Sequence, residues 1–181
     1  MADDHGLTHD ATTHRAVTDA HDVRVLGDLQ AAISDSAATL ETAAHDSDGE
    51  ARMRLFATLA EERARTARDL RATIMALGGS AVDTDGGSIL AKARRAVADI
   101  GHALLGDEAG KAVGAVDLAD DGETALIRRL DAALDDPELS DVARAAVRRA
   151  RAAVAGDHED LHALRQSLDS RRDIGSPLFP Y

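Results

Sequence analysis

Residues 50–79 read EARMRLFATLAEERARTARDLRATIMALGG, and this stretch decides the fold. Phe56, Leu59, Leu70, Ile74 and Leu77 recur at helical spacing on one face, and the pattern stops at Leu77-Gly78-Gly79. Glycine there permits the left-handed residue that commonly follows a helix. A helix of about 27 residues rises about 40 Å at ~1.5 Å per residue. Directly upstream, Asp46-Ser47-Asp48-Gly49 makes a turn, and before it Leu26, Leu29, Ile33, Ala37, Leu40 and Ala44 form another apolar stripe. Two long helices joined by so short a turn must be antiparallel neighbours.

Downstream, residues 78–87 (GGSAVDTDGG) form a linker. Ser88 can cap a shorter helix carrying Ile89, Leu90, Ala93, Val97, Ile100 and Leu104, which ends at Gly106. A fourth helix is expected over about 107–134, with Val113, Val116, Ile127, Leu130 and Leu134 as its apolar face. After the Asp135-Asp136-Pro137 break comes the last helix, with Val147, Val154, Leu161 and Leu168 at intervals of seven. It starts at Pro137 or after a Ser140 cap, both of which are start signals. The expectation is an all-α, ferritin-like four-helix bundle of two antiparallel hairpins, with a helical crossover between bundle helices two and three. A plain bundle with the short helix packed across one end is the alternative.

Composition agrees. Alanine fills 38 of 181 positions and proline three, which favours helix over sheet. Cysteine is absent, excluding disulfides, thiol nucleophiles and thiolate-bound metals. Two phenylalanines and one tyrosine leave no stacking platform for bases or sugars. A net charge of −12 repels nucleic acid and anionic lipid, so neither nucleic acid nor a membrane is an expected partner. Arg144, Arg148, Arg149 and Arg151 are best read as a helix face paired with neighbouring aspartates rather than as a phosphate patch. No apolar run reaches the roughly 20 residues of a membrane span, and the start carries no secretory signal, so the expected location is cytoplasmic.

The domain reading is an arm over 1–21, a bundle over 22–170 and a tail over 171–181. The arm is polar and carries His5, His9, His14 and His21, but nothing in it would fix ligand geometry. The tail holds Phe179 and Tyr181. Its default is a disordered end, and the sharper alternative is an apolar anchor docked on a second copy, as in a homodimer.

Where the stripes are interrupted carries more information. Between Leu59 and Leu70 the ladder passes through Glu62 and Thr66, or on a slight rotation through Arg63 and Ala67. The ladder Val113, Val116, Asp120, Glu123, Ile127, Leu130 has two carboxylates at its centre, and the step from Val154 to Leu161 lands on His158. An unpaired buried charge is costly, so each of these groups needs a partner, a metal or water. A site of Glu62, Asp120, Glu123 and His158 could hold iron or manganese through oxygen and imidazole donors. The full di-metal pattern is incomplete: Glu62 is followed three residues on by Arg65 rather than histidine, and the first helix offers Ser36 and Ala37 at the inward level. If the last helix starts after Ser140, Asp120 and His158 lie close enough to share an ion. If it starts at Pro137, Glu123 faces Arg148 and Arg149. Interior salt bridges are the leading expectation, a bound metal the alternative. No catalytic residue or organic cofactor is indicated.

Leu77-Gly78-Gly79, Gly87-Ser88, Gly106-Asp107 and Gly122-Glu123 ahead of Leu130-Asp131-Ala132-Ala133-Leu134 together resemble the bacterial bundle proteins grouped as domain of unknown function 2383, assigned to the ferritin-like superfamily. Ala60-Glu61-Glu62-Arg63 and Asp157-His158-Glu159-Asp160-Leu161-His162-Ala163-Leu164-Arg165 are similar to that family's signatures. The resemblance implies the crossover bundle and no established reaction. The chain departs from the family at Asp35-Ser36-Ala37-Ala38-Thr39-Leu40, which lacks glutamate, and at Lys92, Arg94 and Arg95. The leading functional expectation is a binding or structural module rather than an enzyme, stress-related by analogy. The alternative is a metal store or metal-dependent oxidoreductase built on the four candidate ligands.

Overall fold

A computed structural model describes residues 6–47, 49–80 and 108–175. The expected crossover helix over 88–106 and the aromatic end of the tail lie outside the described residues. Four helices follow in order: α1 (Gly6–His45), α2 (Glu50–Ala76), α3 (Glu108–Leu134) and α4 (Asp141–Gly175). No strand occurs among the described residues. None of the helices is long and apolar enough to cross a membrane.

Both ends of α2 follow the sequence closely. At its C-terminus Gly78 has φ +80°, its N–H donates to the Met75 carbonyl (3.1 Å), and the Gly79 N–H donates to the Ile74 carbonyl (3.0 Å). This pair of bonds around a left-handed glycine closes the helix and satisfies carbonyls that would otherwise be orphaned. Gly79 is needed for a separate reason. A Cβ there would lie 2.7 Å from Val23 Cγ1 and 2.8 Å from Ile74 Cγ2. The close approach of α1 and the α2 terminus therefore admits a side chain at 79 only if Val23 or Ile74 shifts.

The helices bury their stripes in two levels. One holds Leu26, Leu29, Ile33, Ala67, Leu70, Ile74, Leu126, Leu130, Val147 and Val154, with Ala143, Ala146 and Ala150 letting α4 approach closely. The other holds Leu40, Phe56, Leu59, Val116, Ala119 and Leu161. Burying one such leucine or phenylalanine side chain contributes about 1.5–3 kcal/mol, so the stripes rather than intrinsic propensity hold the helices together.

These contacts fix the helix directions. The Leu40 end of α1 meets the starts of α2 and α3 and the later half of α4. The His21 end meets the turn between α3 and α4, where His21 Nε2 lies 2.9 Å from Asp136 Oδ2 and the Ser140 N–H donates to Asp22 Oδ1 (3.0 Å). Relative to α1, then, α2 and α3 both run in reverse and α4 runs in parallel. The chain leaves α2 at one end of the bundle and re-enters it in α3 at the other, which is the connectivity of a bundle with a single long crossover.

Three boundaries differ from expectation or resolve it. Ser140, not Pro137, starts α4: its Oγ accepts the Ala143 N–H at 3.2 Å, and the helix begins at Asp141. At the start of the chain, α1 begins at Gly6, well inside the stretch read as an arm. Residues 7–21 contain neither glycine nor proline, so a helix anchored by the docked stripe that begins at Leu26 gains a hydrogen bond with each residue added and meets nothing to stop it. The helix α4 likewise continues through 171–175, which the sequence reading gives to the tail.

Candidate functional site

The ionisable residues that interrupt the stripes separate into two clusters. The first is in the centre of the bundle. Of the two ladders open on α2, the structure takes Arg63 rather than Glu62 inward, its side chain fully buried, while one turn on Thr66 and Ala67 are both buried. Arg63 Nε donates to Glu123 Oε2 at 2.9 Å, Nη2 donates to the same oxygen, and Nη2 also donates to the Val154 carbonyl at 3.3 Å. Glu123, 2% exposed, takes a further bond on Oε1 from the Ser36 hydroxyl. Four helices thus meet around one ion pair. Glu62 is turned away from it and pairs with Arg65 on its own helix, with a third of its side chain in solvent.

The second cluster lies along the α3–α4 seam nearer its edge. Asp120 is as buried as Glu123, at 4%. Its Oδ2 accepts from Arg165 Nη1, and Arg165 also bridges Asp117 (2.9 Å) and Asp121 (3.6 Å). Carboxylates around it, Asp120 foremost, raise the Arg165 pKa above its already high ordinary value, so the guanidinium is a permanent cation. His158 Nδ1 lies 3.5 Å from Asp120 Oδ1, and His162 Nδ1 lies 3.8 Å from Asp120 Oδ2. The two rings are tilted at 34° with centroids 6.1 Å apart.

The four candidate ligands are therefore not one group. Asp120 and His158 are brought together, as the Ser140 start of α4 requires. Glu123 belongs to the arginine pair, and Glu62 belongs to neither cluster. The arginine that neutralises Glu123 is Arg63; Arg148 and Arg149 are exposed. Elsewhere on the basic stretch, Arg144 donates to the carbonyls of Leu134, Asp136 (2.7 Å) and Leu139 (3.2 Å), and Arg151 pairs with Asp131 at 3.0 Å. Of the aspartate pairing that the sequence reading favours, Arg151 with Asp131 is the instance seen, while Arg144 caps carbonyls instead. Among the described residues no three acidic or histidine side chains are, as they stand, placed to hold a metal ion together.

The sequence reading did not assign His162 or Arg165 a place beside Asp120. The signal was present: 158, 162 and 165 are spaced by four and three, which puts them on one face of a helix. His158-Glu159-Asp160-Leu161-His162 moreover has two histidines one turn apart around a glutamate, a spacing that presents two imidazoles to one side.

Helix count, directions and the buried ion pair define this protein as an all-α bundle of four long helices with one long connection between its second and third members. The chain belongs to the family described as domain of unknown function (DUF2383), which it matches over residues 21–136. That match spans all of α2 and α3 and most of α1, and stops within the turn into α4. No curated protein and no solved structure matches the chain.

Proposed function

We propose that this protein is a helical-bundle binding or structural module and not an oxidoreductase with a metal pair in its core. One observation carries the reading. At the centre of the bundle, where facing helices would present carboxylates to metal ions, the cation is the Arg63 guanidinium, fully buried and bonded to Glu123. A buried carboxylate needs a counter-charge, and arginine with its fixed fork of donors satisfies that need without a metal. The iron or manganese pair that ferritin-like kinship would imply does not fit these residues: Ser36 stands at the first-helix level, and Glu62 points outward to Arg65. The helix directions themselves support ferritin-like placement, so the reading is a bundle of that connectivity with its centre closed by protein groups. Stress physiology is the setting that analogy suggests for it.

Oxygen consumption by the full chain with excess Fe2+ tests this. The expected result is no turnover above that of free Fe2+, in the natural protein and in Glu123→Gln alike. Catalytic Fe2+ oxidation abolished by Glu123→Gln would overturn the proposal.

A further inference from the structure

The Asp120 cluster is built differently from the Arg63 pair. Asp120 Oδ1 and His158 Nδ1 are both buried, and both lack a hydrogen-bond partner. They face one another at 3.5 Å, too far for a good hydrogen bond. With bonds of about 2.0–2.1 Å to imidazole nitrogen and carboxylate oxygen, donors 3.5 Å apart subtend about 115° at a shared ion, close to tetrahedral. We propose that Asp120 Oδ1 and His158 Nδ1, joined by His162, form a mononuclear site for a borderline divalent cation of the zinc class.

Three further features support it. His162 lies one turn beyond His158 on the same face, half exposed, with Nδ1 3.8 Å from Asp120 Oδ2. Rotation of its side chain adds the third donor, and solvent supplies the fourth. Arg165 already holds Asp120 Oδ2, which leaves Oδ1 as the ligating oxygen and fixes the plane of the carboxylate. The charge also matches: Asp117, Asp120 and Asp121 surround the single Arg165 guanidinium, an excess of two negative charges that a divalent cation neutralises. Two imidazoles and one carboxylate suit zinc and its neighbours better than magnesium or calcium, which prefer oxygen alone. With two donors preset and the third on an exposed side chain, the site would load and release its ion from solvent.

This names a ligand for the binding module proposed above and rests on that reading only for its purpose; the two fail separately. Metal-free full-length protein is titrated with Co2+ and followed by its visible absorption, then with Zn2+ to displace it. A single equivalent is expected to give the intense spectrum of a four-coordinate ion, which Zn2+ bleaches. Binding should weaken at least tenfold in His158→Gln and Asp120→Asn. It should stay unchanged when His5, His9 and His14 are all replaced by glutamine. Circular dichroism checks the folding of each variant, and His162→Gln, at an exposed position, serves where Asp120→Asn does not fold. A folded natural protein with no such spectrum overturns the site. So does a spectrum that survives His158→Gln and disappears with the three N-terminal histidines. Fe2+ turnover would remove the module reading and leave this site; silence with Co2+ would remove the site and leave the module.

Discussion

Glu123 and Asp120 are one turn apart on α3 and almost equally buried, yet the structure treats them in opposite ways. Glu123 has both oxygens bonded, one to Arg63 and one to Ser36. Asp120 has one oxygen held by Arg165 and the other facing a histidine nitrogen with no bond between them. The difference follows from depth in the bundle. Glu123 lies where four helices meet: its own partners come from α1 and α2, Arg63 in turn donates to the α4 backbone at Val154, and the result is a closed set. Asp120 lies on a seam of two helices next to solvent, where an exchangeable ligand can complete what the protein leaves open. A buried polar network is stabilising only when every member is satisfied. One cluster meets that condition within the chain; the other leaves Asp120 Oδ1 and His158 Nδ1 unbonded, and the proposed cation is what would complete it.

The largest effect should come from opening the closed cluster. Arg63→Ala leaves Glu123 charged and buried among apolar side chains, and breaking a buried pair in this way costs about 3–5 kcal/mol. Urea unfolding should show that loss in full. The double variant Arg63→Met/Glu123→Leu removes both charges and should recover most of it, because apolar replacement of a whole buried pair is often neutral or better. A double variant as unstable as Arg63→Ala would mean that the pair contributes net stability rather than merely avoiding a penalty, and the contrast with Asp120 would then lie in energy as well as in completeness.

Much of this was legible before any coordinates. The 3–4 spacing placed most of Leu26 to Ala44 and of Phe56 to Ile74 on buried faces, intervals of seven did so for Val147, Val154 and Leu161, and Gly78-Gly79 marked the end of α2. The inward positions of Asp120 and Glu123 followed from the same ladder. The choice between Glu62 and Arg63 did not, because adjacent residues on a helix differ by 100° and a small rotation exchanges them. Packing against α3 and α4 decided it. Helix propagation through 6–21 was equally illegible: polar composition says that such a segment buries little, but not that it leaves the helical conformation once its neighbour is anchored. The pairing of Asp120 with His162 and Arg165 needed the start of α4 at Ser140, and sequence signals favoured Pro137 as well.

A middle-sized effect probes the close contact at the opposite end from Phe56. Gly79→Ala would place a methyl carbon within 2.7–2.8 Å of Val23 and Ile74 side chains. Overpacking of that kind costs about 1–3 kcal/mol, and pairing it with Val23→Ala should return part of the loss. Asp120→Asn is expected to cost less than Arg63→Ala, about 1–2 kcal/mol, since it weakens one charge-assisted bond and leaves no buried charge behind. Equal losses for the two would erase the distinction between a closed and an open cluster.

The smallest effect lies at the turn between α3 and α4, where the polar contacts are part-buried at the bundle's end instead of enclosed in its core. Asp136 accepts the Glu138 N–H at 2.9 Å and lies 2.9 Å from His21 Nε2. The Glu138 N–H foremost, and then His21, hold its carboxyl below the ordinary value of 3.8. The unfolded chain therefore takes up this proton at a higher pH than the folded one, so the increment is fully present above 3.8 and is lost as pH falls through the folded pKa. Asp136→Asn should remove a slight acid-side loss of thermal stability while leaving the neutral-pH midpoint close to that of the natural protein. If the acid-side loss persists unchanged in Asp136→Asn, the sensitivity must be assigned to the buried carboxylates instead, with Glu123 and Asp120 as the groups to replace next.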